Sequence, residues 1–210
     1  MASTLKQFLL IPAGLALVGM AACGGGGGGG TAQSTPPIPP AAATLAYVDP
    51  ALGTYLLKKD TALSSGSHLV LDLVGPTTGT ASGVTLTLQT SANQVTWVDV
   101  PAGGTTSTLV QNGTQFNLGT GTPILKGKTF ITSTTGVFDI LQATVAQKGL
   151  ANPASLNGVL LRVALDLKPG LGLAQGTTIN LTADATKSQA LDGTGAISPI
   201  TISVGTLTAQ

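Results

Sequence analysis

The chain has 210 residues, of which 42% are hydrophobic and only 8% charged, with eight aspartates, no glutamate and a formal net charge of +1. Such near-neutrality leaves no basic footprint for nucleic acid or for anionic lipid headgroups, and a single cysteine excludes an internal disulfide framework. The first residues, MASTLKQ, carry one positive charge at Lys6 and lead into a 13-residue apolar segment, Phe8 to Met20, closed by Ala21 and Ala22. As a helix this segment would reach about 20 Å, short of the roughly 30 Å hydrocarbon core of a bilayer, so residues 1–22 read as a secretory signal and not as a retained span.

Cys23 follows Met20-Ala21-Ala22 directly. The arrangement resembles the lipobox of bacterial lipoproteins, in which an apolar residue and two small ones precede a cysteine that is acylated, palmitate among its chains, and becomes the new N-terminus. Met20 stands where that family more often has leucine. The resemblance implies a membrane anchor on Cys23, and stable anchoring takes more than one chain at about 0.8 kcal/mol per buried methylene. Gly24, not an aspartate, comes next. By the same resemblance, that points to the bacterial outer membrane or cell surface.

Residues 24–43, GGGGGGGTAQSTPPIPPAAA, hold too few large apolar side chains to bury a core. With Cys23 they form a disordered tether over 23–43. Its glycine run behaves as a coil of about 15 Å and its proline-rich part adds about 22 Å of stiffer polyproline II. A phosphate-cradling loop needs a preceding strand, a following helix and usually a lysine, and none of these flank the glycines.

The remaining chain, 44–210, is long enough for one domain with a sizeable core. It is rich in Thr, Val, Leu, Gly and Ser, which favours strands over helices. SHLVLDLV (67–74) reads as the first clear strand. In GVTLTLQT, Val84, Leu86 and Leu88 alternate with Thr85, Thr87 and Gln89, and QVTWVDV (94–100) follows the same period. Residues 103–135 are polar and glycine-rich, expected to form short strands and a long excursion at one edge. DILQATVAQK (139–148) fits either a strand or a short helix, with the strand preferred. In GVLLRVALDLK (158–168), Val159, Leu161, Val163, Leu165 and Leu167 share one face while Arg162, Asp166 and Lys168 share the other, which reads as a strand with one wet face. TTINLTAD (177–184) and ITISVGTLT (200–208) complete the series, with Gly, Pro, Asn and Asp as punctuation. Many short strands in succession imply an all-β sandwich or barrel.

The run SHLVLDLVGPTTGTASGVTLTLQTSANQVTWVDVPAG resembles the opening of cohesin modules: a strand, a glycine-led alternating strand, a polar turn and a short strand bearing an aromatic residue. LNGVLLRVALDLKPGLGLAQGTTINLTAD and LDGTGAISPITISVGTLTAQ are similar to that family's later strands. The family commonly has Asp-Pro after the glycine-led strand, where this chain has Ser91, Ala92 and Asn93. The resemblance implies a cohesin-like jelly-roll β-sandwich of about nine strands, of the type shared with certain carbohydrate-binding modules. It further implies a docking surface for a dockerin-like protein.

Candidate site residues are few. His68 and Asp72 lie four positions apart on one strand, about 13 Å, so they cannot form the orienting contact of a catalytic triad, and His68 reads as a sheet-surface residue. Asp72, Asp99 and Asp166 read as solvated outer-face positions. Asp184 and Asp192 lack calcium-loop spacing, and Asp192-Gly193 reads as a turn. No catalytic residue, metal site or cofactor is expected. Trp97 alternates with Val95 and reads as core, whereas Tyr47 and Tyr55, close to the tether, are the candidate ligand-contact aromatics. The chain therefore reads as a lipid-anchored, non-catalytic surface module. It docks a protein through a sheet face, with the wet face of 158–168 proposed for that role. A carbohydrate-binding module and a structural subunit of a surface assembly are the alternatives.

Overall fold

The computed structural model describes residues 40–104, 108–116, 123–131 and 137–210. In chain order the strands are β1 (Leu45–Val48), β2 (Tyr55–Lys59), β3 (His68–Val74), β4 (Thr80–Ala81), β5 (Gly83–Ser91) and β6 (Val95–Val98). Then come β7 (Gln111–Asn112), β8 (Ile124–Ile131), β9 (Phe138–Ala146), β10 (Ala154–Ser155), β11 (Val159–Leu167) and β12 (Thr178–Ile179). The last are β13 (Leu181–Ala183), β14 (Gln189–Leu191), β15 (Ile197–Pro199), β16 (Ile202–Ser203) and β17 (Thr206–Ala209). No helix occurs among the described residues.

Two large sheets form the body. The first has the order β16-β2-β3-β11-β6, with β7 also on β11; the second has β15-β14-β5-β9-β8, with β13 also on β5. A small sheet, β1-β17-β12, and the pair β10-β4 complete the structure. All pairings are antiparallel except that of β16 with β2. The segment left open between strand and helix is strand β9, held by β5 along Gly83–Ser91 and by β8 along its full length. Its alternation follows: Leu141, Ala143 and Val145 are buried while Gln142 is exposed.

More strands appear than the nine expected because several runs change partner midway. TTINLTAD breaks at Asn180, with β12 joining β17 and β13 joining β5. ITISVGTLT breaks at Val204 and Gly205, with β16 pairing β2 and β17 pairing β1.

The core lies between the large sheets. Leu69, Leu71 and Leu73 of β3 and Leu161, Val163 and Leu165 of β11 meet Val84, Leu86 and Leu88 of β5 and the inward residues of β9 in one cluster. Each such side chain contributes about 1.5–3 kcal/mol by leaving water. Trp97 and Phe116 join the same cluster.

The expectation of one wet face fails for β3. Every residue from His68 to Leu73 is buried, because Val70 and Ala164 on the outer side pack with Val98 and Val100 in a second, smaller cluster. The chain leaving β6 lies back over the outside of the first sheet, and no residue pattern within β3 announces that cover.

At one pole the two ends of the described chain meet. Thr44 and Gln210 exchange reciprocal backbone hydrogen bonds of 2.9 Å, and Ala42 donates to Leu173 O. At the other end of β1, Gly205 passes so close that a Cβ there would stand 1.9 Å from Val48 O. Its N–H donates to Tyr47 Oη at 2.6 Å, and Tyr47 Oη donates in turn to Leu57 O at 2.9 Å. This phenol links β1, β2 and the turn into β17. Tyr47→Phe removes both bonds from a buried site and is expected to lower stability by about 1–3 kcal/mol, read from denaturant unfolding followed by circular dichroism.

Candidate functional site

Cys23 lies outside the described residues. Tyr47 and Tyr55 do not form the exposed aromatic pair expected from sequence: both take inward positions of β1 and β2 and are buried, at 8% and 7% exposure. Burial pushes the Tyr47 phenol up to about 12 and raises that of Tyr55. Their ring faces are spent on the core, so neither offers a stacking platform.

His68 is likewise not a surface residue. It is buried, with Nδ1 2.6 Å from Asp166 Oδ1 and Nε2 2.9 Å from Val100 O. Strand register brings it there, since His68 faces Asp166 across the β3–β11 ladder. The contact fixes the covering segment to the sheet and leaves no ring nitrogen open to a substrate.

The same register sets Asp72 opposite Arg162. Arg162 Nε lies 3.0 Å from Asp72 Oδ1 and 3.4 Å from Asp60 Oδ2, as ion pairs not aligned for hydrogen bonding, and Nη1 donates to Asn112 O at 3.5 Å. Asp72 is therefore no solvated outer-face residue. Burial raises its carboxyl to about 6, opposed by the Arg162 charge and assisted by Asp60. Two largely buried carboxylates around one guanidinium amount to a structural clasp.

Asp184 and Asp192 each close their own loop. Asp184 Oδ1 accepts from Thr186 N and Oγ1 and from Lys187 N, whereas Asp192 Oδ1 accepts from Thr194 N and Oγ1 and from Ala196 N. These bonds hold both carboxyls below the usual aspartate range, led by the Thr186 and Thr194 hydroxyls. Among the described residues no three His, Cys, Asp or Glu side chains gather as metal ligands.

A surface with open contact capacity is the outer face of the second sheet. Along β8 the outward residues are Ile124, Lys126, Lys128 and Phe130, all exposed, and register places them against Ala146, Thr144, Gln142 and Ile140 of β9. Lys128 Nζ sits 4.9 Å from the Phe130 ring centroid. At the far side Ile197 of β15 is 64% exposed beside Leu191. Two shallow depressions mark the face, one of ≈ 300 Å³ around Phe130, Ile140 and Thr87, the other of ≈ 170 Å³ around Ala146, Leu191 and Ile197. Lys126, Lys128 and Lys187 stand on it, with Asp184 paired to Lys187 at 3.4 Å. Sequence alternation marks β5, and β9 reads as either strand or helix with the strand preferred, but the exposed lysine–phenylalanine row falls in the stretch read as short strands and a long excursion.

Asp72 yields a prediction with a definite sign. Its folded carboxyl binds a proton more readily than in the unfolded chain, so between pH 4 and 6 its contribution to stability falls as pH rises. Asp72→Asn is expected to gain on the unsubstituted protein from pH 4 to pH 7, by at most about 3 kcal/mol, in parallel urea titrations.

No family model and no curated protein matches the sequence. Solved structures do resemble the fold. The type II cohesin A11 from Bacteroides cellulosolvens superimposes with a TM-score of 0.51 at 13% identity, covering 74% of this chain and 98% of that one. The second type II cohesin module of the ScaA scaffoldin from Acetivibrio cellulolyticus gives 0.45 at 13% identity, over 79% of this chain and 94% of that one. A cohesin module from a Clostridium perfringens family 33 glycoside hydrolase gives 0.38 at 14% identity, over 76% and 90%. The likeness to the first is one of architecture: the described body of this chain is an all-β, cohesin-like jelly-roll sandwich.

Proposed function

We propose that the chain is a non-catalytic protein-docking module, held at the bacterial outer membrane or cell surface by acyl chains on Cys23, that receives its partner on the outer face of β8, β9, β5 and β14. The observation carrying this reading is the contrast between the two sheets. The outward side of the first is closed over by Val100 and the Asp60–Asp72–Arg162 clasp, whereas the second presents Ile124, Phe130 and Ile197 to solvent. Exposed aromatic and branched side chains set in a rim of longer polar ones are what a transient interface offers.

The wet face of 158–168, expected from sequence to receive the partner, is partly covered, although the Asp166 side chain remains 42% exposed. Ala164 is fully buried, and Arg162 is turned into its ion pairs. Docking therefore moves to the opposite sheet. There the lysines select a partner whose matching surface carries carboxylates around two apolar anchors, a dockerin-like protein being the kind that the cohesin resemblance implies.

Signal removal at 22 and the tether read from sequence over 23–43, whose last residues Ala42 and Ala43 are bonded into the body, would let the module meet that partner at a distance from the bilayer. The carbohydrate-module alternative loses its exposed tyrosine pair.

Two measurements test this reading. Mass spectrometry of the membrane fraction is expected to find Cys23 acylated, and Cys23→Ser to release the protein from membranes. A partner recovered by cross-linking through Lys126 or Lys128 is expected to lose at least about tenfold in affinity, roughly 1.4 kcal/mol, with Phe130→Ala or with the Lys126→Glu, Lys128→Glu pair. Lys58→Glu on the opposite sheet is expected to leave binding unchanged.

A further inference from the structure

Between β15 in the second sheet and β16 in the first the chain crosses from one sheet to the other, and an open trough of ≈ 390 Å³ lies beside the crossing. Its lining has two parts. Tyr55, Ala81, Leu156 and Ile200, all buried at 7% exposure or less, provide an apolar floor. Thr54, Thr80, Ser198 and Thr201 are exposed around it, together with the Asp192 carboxylate.

The lining carries hydroxyls with open hydrogen-bonding capacity. The hydroxyls of Thr54, Tyr55, Thr80, Ser198 and Thr201 have no partner among the described residues, although each can both donate and accept. Asp192 spends Oδ1 on its own loop, and Oδ2 is free to accept.

We propose that this trough binds a neutral sugar ring. A pyranose carries an apolar C–H face and a perimeter of hydroxyls, which matches an apolar floor within a perimeter of hydroxyls and one carboxylate acceptor. No Lys or Arg lines the trough, so an anionic ligand would meet Asp192 without a counter-charge. The volume falls in the range of small-ligand clefts, about 300–1,000 Å³, and fits one or two sugar units. Recognition here is by hydroxyl exchange over buried aliphatic and tyrosine side chains, not by stacking on exposed rings. The site is independent of the protein-docking reading.

The test uses the full chain in detergent and four probes: methyl glucoside, methyl xyloside, methyl N-acetylglucosaminide and cellobiose. Saturation-transfer NMR and calorimetry are expected to detect at least one, with a Kd near about 1 mM, as suits a handful of exposed hydrogen bonds. Tyr55→Phe keeps the ring in the core and removes only the hydroxyl, and it is expected to weaken binding about three- to tenfold. Ser198→Trp, at an exposed rim position, is expected to abolish it by filling the trough. Circular dichroism of each variant checks that the sandwich is intact. No binding of any probe at about 50 mM, far above that Kd, would overturn the proposal. So would binding that Tyr55→Phe and Ser198→Trp both leave unchanged in folded protein.

Discussion

The register between β3 and β11 is the constraint on which the rest of the molecule depends. It sets Leu69, Leu71 and Leu73 beside Leu165, Val163 and Leu161 on the inner side, and on the outer side sets His68 against Asp166 and Asp72 against Arg162. A slip of one residue would turn the leucines outward and put the charged groups into the core. Cross-strand charge pairs are modest contributors taken singly, but here they are half-buried, and breaking one partner strands the other. The pairs therefore act chiefly against wrong registers, which would leave Arg162 with no carboxylate.

Legibility in the sequence followed range. Strands β5, β9 and β11 carry their alternation within nine residues, and Val84, Leu86, Leu88, Val163 and Leu165 could be assigned inward from that alone. Trp97 was also readable as core, by its spacing from Val95. The burial of His68 was not, because its partners lie 98 and 32 residues away and only the folded register joins them. Tyr47 and Tyr55 misled for a similar reason. Both sit in short strands near the tether where composition suggests exposure, yet β1 is clamped by β17 and β2 by β3, and alternation then turns both rings inward. The exposed row on β8 was missed because its Ile-Leu-Lys-Gly-Lys-Thr-Phe-Ile pattern mixes lysine and glycine into what is nonetheless a regular strand.

The two large sheets divide the work. The first pairs Asp60, Asp72 and Asp166 with Arg162 and His68 and folds chain over its own back. The second is backed by the shared leucine core, and among the described residues its outward lysines have no partner beyond the Lys187 ion pair and the Lys128–Phe130 contact. A nearly neutral protein with three lysines gathered on one face presents a local field despite its balanced total charge, and such a field steers encounter more than it adds to affinity.

The reciprocal bonds between Thr44 and Gln210 place the two ends of the sandwich side by side. Any polypeptide continuing past Gln210 would emerge beside Thr44, at the same pole. A short linker joining residue 210 back to 44, with new ends opened in the exposed turn at Lys148–Ala151, would give a circular permutant that keeps every strand pairing described here, so the order in which the strands are synthesised is separable from the architecture they build.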